Sequence, residues 1–245
     1  MPSLAKAYIA TIAALATVVL VVAATAWHTE NLERFAIFFA LAMVASAMKI
    51  RLPGFTTTIS LNFVFVLMGV ALFTFSETVL LGLGGAVIQS LWKTQRQPKP
   101  VQVLFNAACL TVCSGAAFWA AHRVLAMLSV TSVAAMMVVA TAVYLTLNTG
   151  MVSLVVSLAE RCSMKQVWPS CYEWTFPYFL IGSAMAGLAS ANSAASNLSM
   201  ALLVLPAMYF VYVYYRMHVM RAVLENISRV SQEHASVLAG PSHSN

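Results

Sequence analysis

AYIATIAALATVVLVVAATAW, residues 7–27, contains no charged side chain and decides the class of fold. About 20 such residues carry a helix across a bilayer's hydrocarbon core. Working outward from it, further apolar runs occupy 35–48, 59–75, 78–92, 101–121, 130–158, 174–191 and 198–215. In hydrocarbon the backbone must pair within each segment, and runs without period-2 alternation do so as helices rather than barrel strands. The expected fold class is therefore all-α: a polytopic integral membrane protein with eight transmembrane helices, or six at the fewest.

Composition agrees. Of 245 residues, 61% are apolar and 8% charged, against roughly 25% charged in an ordinary soluble domain. All seven acidic residues are glutamates (Glu30, Glu33, Glu77, Glu160, Glu173, Glu225, Glu233). Without aspartate there is no Ser-His-Asp triad, EF-hand loop or DFG-type magnesium ligand. The net charge of +6 reads as the positive-inside bias of a membrane chain rather than as a nucleic-acid surface, so no nucleic-acid partner is expected. With a cytoplasmic N-terminus the inner side holds Lys6, Lys49, Arg51, Lys93, Arg96, Lys99, Arg161, Lys165, Arg216, Arg221 and Arg229, leaving only Arg34 and Arg123 outside. Both termini should then be cytoplasmic. Trp27, Trp92, Trp119 and Trp174 fall near segment ends, where an aromatic belt belongs.

Local signals refine this map. Arg51-Leu52-Pro53-Gly54 and Gln97-Pro98-Lys99-Pro100 are breaker clusters, and 160–174, with Trp168-Pro169 at its centre, reads as an interfacial connector. The runs 35–48, 59–75 and 78–92 are short for hydrocarbon about 30 Å thick, which predicts shielding by neighbours or partial re-entry. The run 130–158 is long and carries Asn148-Thr149-Gly150, where a tilt, kink or break is expected. Ala24-Thr25-Ala26 resembles a signal-peptidase site, but the preceding run exceeds the roughly 7–15 residues of a signal h-region, so a retained helix is expected. The domains are 1–216, a transmembrane helical domain; 217–239, a cytoplasmic amphipathic helix; and 240–245, a disordered tail.

Few groups offer chemistry. The candidate ligand-binding residues are Asn62, Glu77, Gln89, Asn106 and Asn148, because ionisable and amide side chains in a bilayer need partners. Glu77 either ligates a cation or amine or ends a helical hairpin. The amides either line a polar pocket or bond helix to helix. Cys109 and Cys113 share a helix face, but no second Cys or His pair at metal-site spacing accompanies them, so no metal or other cofactor is expected. Gly82, Gly84 and Gly85, with Gly182, Ser183, Ala186 and Gly187, read as small-residue packing surfaces, and His122-Arg123 as an interfacial anchor. In the tail, Met220, Val223, Ile227, Val230, His234 and Val237 recur at alternating spacings of three and four, a candidate dimer seam.

Thr58-Ile59-Ser60-Leu61-Asn62-Phe63-Val64-Phe65, Pro100-Val101-Gln102-Val103-Leu104-Phe105-Asn106 and Tyr214-Tyr215-Arg216-Met217-His218 together resemble the N-terminal multi-helix membrane region that precedes HD-GYP or GGDEF output domains in some bacterial proteins. The resemblance implies a sensory or membrane-anchoring domain of the cytoplasmic (inner) membrane, with Tyr215-Arg216 leading into a signalling helix. Lacking Asp, the chain has neither a GGDEF loop nor an HD metal dyad, so the cyclic-dinucleotide chemistry does not carry over and no enzyme is expected. The reading is a stand-alone domain that forms a homodimer through its C-terminal helix and acts on a separate cytoplasmic signalling partner. More distantly, the short-helix pattern is similar to the substrate-binding components of energy-coupling-factor transporters, whose first helix docks through small residues four apart, as Ala10 and Ala14 are. That likeness implies a vitamin-like ligand and a transporter-coupling partner.

Overall fold

The computed structural model describes residues 1–51, 58–92 and 98–191, with 206–207, 209–214, 217–218, 220–221, 224–225, 228–229 and 231–232 beyond them. In chain order the elements are α1 (Ser3–Thr25), α2 (Leu32–Ala47), β1 (Lys49–Arg51), β2 (Thr58–Ser60), α3 (Asn62–Leu72), α4 (Phe75–Leu91), α5 (Pro100–Leu128), α6 (Val133–Glu160) and α7 (Met164–Ser190). The protein is helical, and α1, α5 and α6, with 23, 29 and 28 residues, are each long and apolar enough to cross a membrane. Leu15, Val18 and Val21 of α1, Trp119 of α5 and Val138 of α6 point out of the bundle, as lipid-facing side chains do.

The helix boundaries have local causes. Asn31 caps α2 by accepting from the Arg34 amide, and Pro100 opens α5 at the position where a missing N–H costs nothing. Ser129 and Arg161, both in the left-handed region (φ 52° and 57°), end α5 and α6. The Val130 and Cys162 amides close those turns on the Leu125 and Ser157 carbonyls.

Three expectations are corrected. The run 59–75 is not helical from its start: Lys49, Ile50 and Arg51 pair antiparallel with Ser60, Ile59 and Thr58, so a two-stranded hairpin interrupts the all-α pattern. The β-branched Thr58-Ile59 pair suits a strand, and α3 begins only at Asn62. The stretch 160–174 is a turn only at its start, since α7 begins at Met164 and runs through Pro169 and Pro177. Ser163 caps it, and Trp168 lies against Gly150, where a Cβ would come within 2.7 Å of the indole ring. That packing also accounts for Gly150: α6 passes unbroken through Asn148-Thr149-Gly150, and the glycine admits a neighbour's ring instead of interrupting the helix. The run 198–215 lies largely outside the described residues; its described part, from 206 on, is helical.

At the centre sits α3. Every residue from 62 to 70 is buried, and α2, α4, α5, α6 and α7 all pack on it. At 11 residues it extends about 16 Å, half the hydrocarbon thickness, and it is apolar all round because it meets protein on every side.

The helices alternate in direction. At one end, Tyr8 of α1 meets Phe105 of α5, Lys49 reaches Gln89 near the end of α4, and a pocket brings Pro2, Ser3 and Leu4 beside Ser157, Leu158, Arg161 and Cys162. At the other, Ser76 of α4 bonds Ala23 of α1, and His122 of α5 bonds Val70 of α3. Lys6, Lys49, Lys99, Arg161 and Lys165 therefore gather at the first end, and Arg34 and Arg123 at the second.

Candidate functional site

The buried polar groups organise around α4, a helix with glycine on its contact faces. A Cβ on Gly82 would strike the Ser114 hydroxyl, one on Gly84 would come within 2.8 Å of Phe39, and one on Gly85 would strike the Asn62 amide. These are the small-residue surfaces expected from the sequence, and they bring α5, α2 and α3 close to the α4 backbone.

Glu77 lies at the N-terminus of α4 with only 2% of its surface exposed. Thr74 caps the helix, and the Glu77 carboxylate answers it: Oε2 accepts from the Thr74 amide and lies equally close to the Thr74 hydroxyl, both at 2.9 Å. Its other oxygen, Oε1, accepts from the Thr29 hydroxyl at 2.6 Å, a length typical of a charge-assisted bond. Thr74 Oγ1 is also 3.0 Å from the His28 carbonyl, so one hydroxyl proton is shared between two acceptors. With Ser76 donating to Ala23 O at 2.7 Å, this network ties the α1–α2 turn to the α3–α4 turn. Glu77 thus serves as a hairpin cap. Thr74-Phe75-Ser76-Glu77 has the Ser/Thr-x-x-Glu form of a capping box, a signal present in the sequence and not read there.

Three of the amides bond along α4, between Leu81 and Ser90. Gln89 Oε1 accepts from Ser60 at 2.7 Å, while Gln89 O, a carbonyl left over at the helix end, accepts from Lys49 Nζ at 2.9 Å. Asn106 of α5 donates to Ser90 Oγ at 2.8 Å and Ala86 O at 3.2 Å. Asn62 of α3 donates to Leu81 O at 3.2 Å, and its Oδ1, fully buried, has no hydrogen-bond partner among the described residues. Ser60 and Lys49 are contacts of Gln89 that sequence reasoning missed, because the hairpin brings them to α4. Asn148 stands apart on α6, its Oδ1 accepting from Cys109 Sγ at 3.7 Å.

Glu77 and Gln89 are twelve positions apart on α4, about 18 Å. Glu77 and Gln89 therefore sit too far apart to share one small ligand; Asn62 bonds α4 between them, Asn106 bonds it near Gln89, and Asn148 makes a separate contact on α6. Among the described residues there is no group of three or more His, Cys, Asp or Glu placed to hold a metal ion. Arg123 lies over Trp119 (5.6 Å), and His122 stacks on Phe118 while its Nε2 meets the Val70 carbonyl at 3.0 Å. Of the seam residues, Met220 is described and half-exposed; Val223, Ile227, Val230, His234 and Val237 lie outside the described residues.

No family model, no curated protein and no solved structure matches the chain.

Proposed function

We propose that this chain is a non-enzymatic, multi-pass protein of the cell membrane, with eight crossings and both ends in the cytoplasm. In this reading it is a sensory or anchoring domain that pairs with a second copy through its C-terminal helix and addresses a separate cytoplasmic partner. The carrying observation is the tail: its described residues are helical, and Met217, Met220 and Leu224, spaced three and four apart, are each more than half exposed. Exposed apolar residues at that spacing support pairing of the tail helix; of the expected seam, Met220 is the member among them, the others lying outside the described residues. The gathering of Lys6, Lys49, Lys99, Arg161 and Lys165 at one end of the bundle supports the orientation. The clasp at Glu77 and the belt around α4 supply hydrogen-bonded contacts between helices, whose rearrangement would be the signal passed to the tail.

A second reading, a binding component for small-molecule uptake, is favoured by one observation: the buried Asn62 Oδ1, which has no hydrogen-bond partner among the described residues. Native mass spectrometry of the protein in mild detergent separates the two. The first reading expects a ligand-free dimer that becomes monomeric when residues 220–245 are removed. A monomer that retains a small molecule overturns it in favour of the second.

A further inference from the structure

Cys109 and Cys113 are the buried nucleophiles that the proposed function leaves unused. Both are free thiols, 1% and 0% exposed, one helical turn apart on α5. Cys109 Sγ donates to Asn148 Oδ1 of α6 at 3.7 Å. Tyr8 of α1 packs on Phe105, one turn before Cys109 on α5, and Tyr144 lies one turn before Asn148 on α6.

The spacing selects the chemistry. Residues four apart on a helix have Cβ atoms about 5–6 Å apart, whereas a disulfide needs about 3.5–4.5 Å. An intrahelical disulfide would distort α5, but one atom bridging two sulfurs fits that separation. A structural zinc site needs four ligands, and no group of three or more His, Cys, Asp or Glu stands among the described residues. Two thiols alone suit a soft cation content with two-coordinate ligation.

We infer that Cys109 and Cys113 form a two-thiolate site for a soft monovalent cation, Cu(I) or Ag(I), in the interior of the bundle. Binding exchanges two thiol protons for one cation, with no change of oxidation state, and leaves one net negative charge between the helices. Donors must face that charge for it to be tolerated. Asn148 can supply one, since rotation of its amide replaces Oδ1 with Nδ2–H opposite Cys109. The inference is independent of the tail's role.

The test is anaerobic Cu(I) titration of the full chain, carrying Cys162→Ser and Cys171→Ser, against a colorimetric Cu(I) chelator. The expected result is one Cu(I) per chain, with X-ray absorption showing two sulfur neighbours and no nitrogen. Adding Cys109→Ser or Cys113→Ser should abolish retention against the same chelator, and Asn148→Leu should weaken it by about 10–100-fold. No Cu(I) retained by the unsubstituted chain, or a metal shell in the Cys162→Ser, Cys171→Ser protein that is not two sulfurs, overturns the inference.

Discussion

Glu77 holds two turns together with one carboxylate, and its geometry sets what a substitution does. Both oxygens accept bonds, from Thr29 and from Thr74, in a site that is 2% exposed. Glu77→Gln replaces one accepting oxygen with an NH2 that faces donors, so it should destabilise the protein by about 1–3 kcal/mol. Denaturant unfolding in mixed micelles measures this; an unchanged midpoint would show that the clasp carries no stability. Asn62 predicts the opposite. Its Oδ1 has no partner among the described residues, and Leu81 O, its Nδ2 acceptor, is a mid-helix carbonyl that also has its place in the α4 backbone ladder. Replacing such a group with an apolar one of similar shape is close to neutral, so Asn62→Leu should shift stability by less than about 1 kcal/mol. A large loss would assign that amide a structural bond beyond the one to Leu81. Sequence alone flags Asn62 and Glu77 as buried polar groups, but not the difference between them, because their partners come from other segments.

Between elements, the close approach of α4 and α5 rests on Gly82. A Cβ there would strike the Ser114 side chain and come within 3.1 Å of the Leu110 carbonyl, and Ser114 itself donates to that carbonyl at 2.7 Å. Gly82→Ala should therefore cost about 1–3 kcal/mol by overpacking, and Ser114→Gly added to it should recover part of the loss. A double variant no more stable than Gly82→Ala alone would contradict the contact. At this scale much of the fold was legible. The runs 7–27, 35–48, 78–92, 101–121 and 130–158 each lie on a helix, since an unbroken apolar run has one hydrogen-bonded solution in lipid. The beginnings of α3 and α7 were not. Thr58-Ile59-Ser60 is apolar enough to merge with the helix after it, and pairs as a strand only because Lys49–Arg51 lies opposite. In α7, Pro169 with its charged and polar neighbours reads as a connector, and is helical because Ser163 caps it and Trp168 finds a place at Gly150.

For the whole molecule, the two ends differ in charge. Cys162 follows Arg161 at the end that also holds Lys6, Lys49 and Lys99, and its side chain is partly exposed. In intact cells it should resist a membrane-impermeant maleimide and react after permeabilisation, as the positive-inside orientation requires. Labelling before permeabilisation would invert the topology. Along α4, polar contacts run from the Glu77 clasp through Leu81 O, which Asn62 bonds, to Gln89 and Ser90 about 18 Å from Glu77, fastening α4 to its neighbours along most of its length.

The account's central claim joins orientation to pairing: a bundle whose basic end faces the cytoplasm and whose tail helices meet there. Met220→Cys, introduced with Cys162→Ser and Cys171→Ser and treated in intact cells with a bifunctional maleimide, tests both at once. The account predicts a cross-linked dimer with a membrane-permeant reagent and none with an impermeant reagent of the same span. A chain that stays monomeric with the permeant reagent, or that cross-links with the impermeant one, would contradict it.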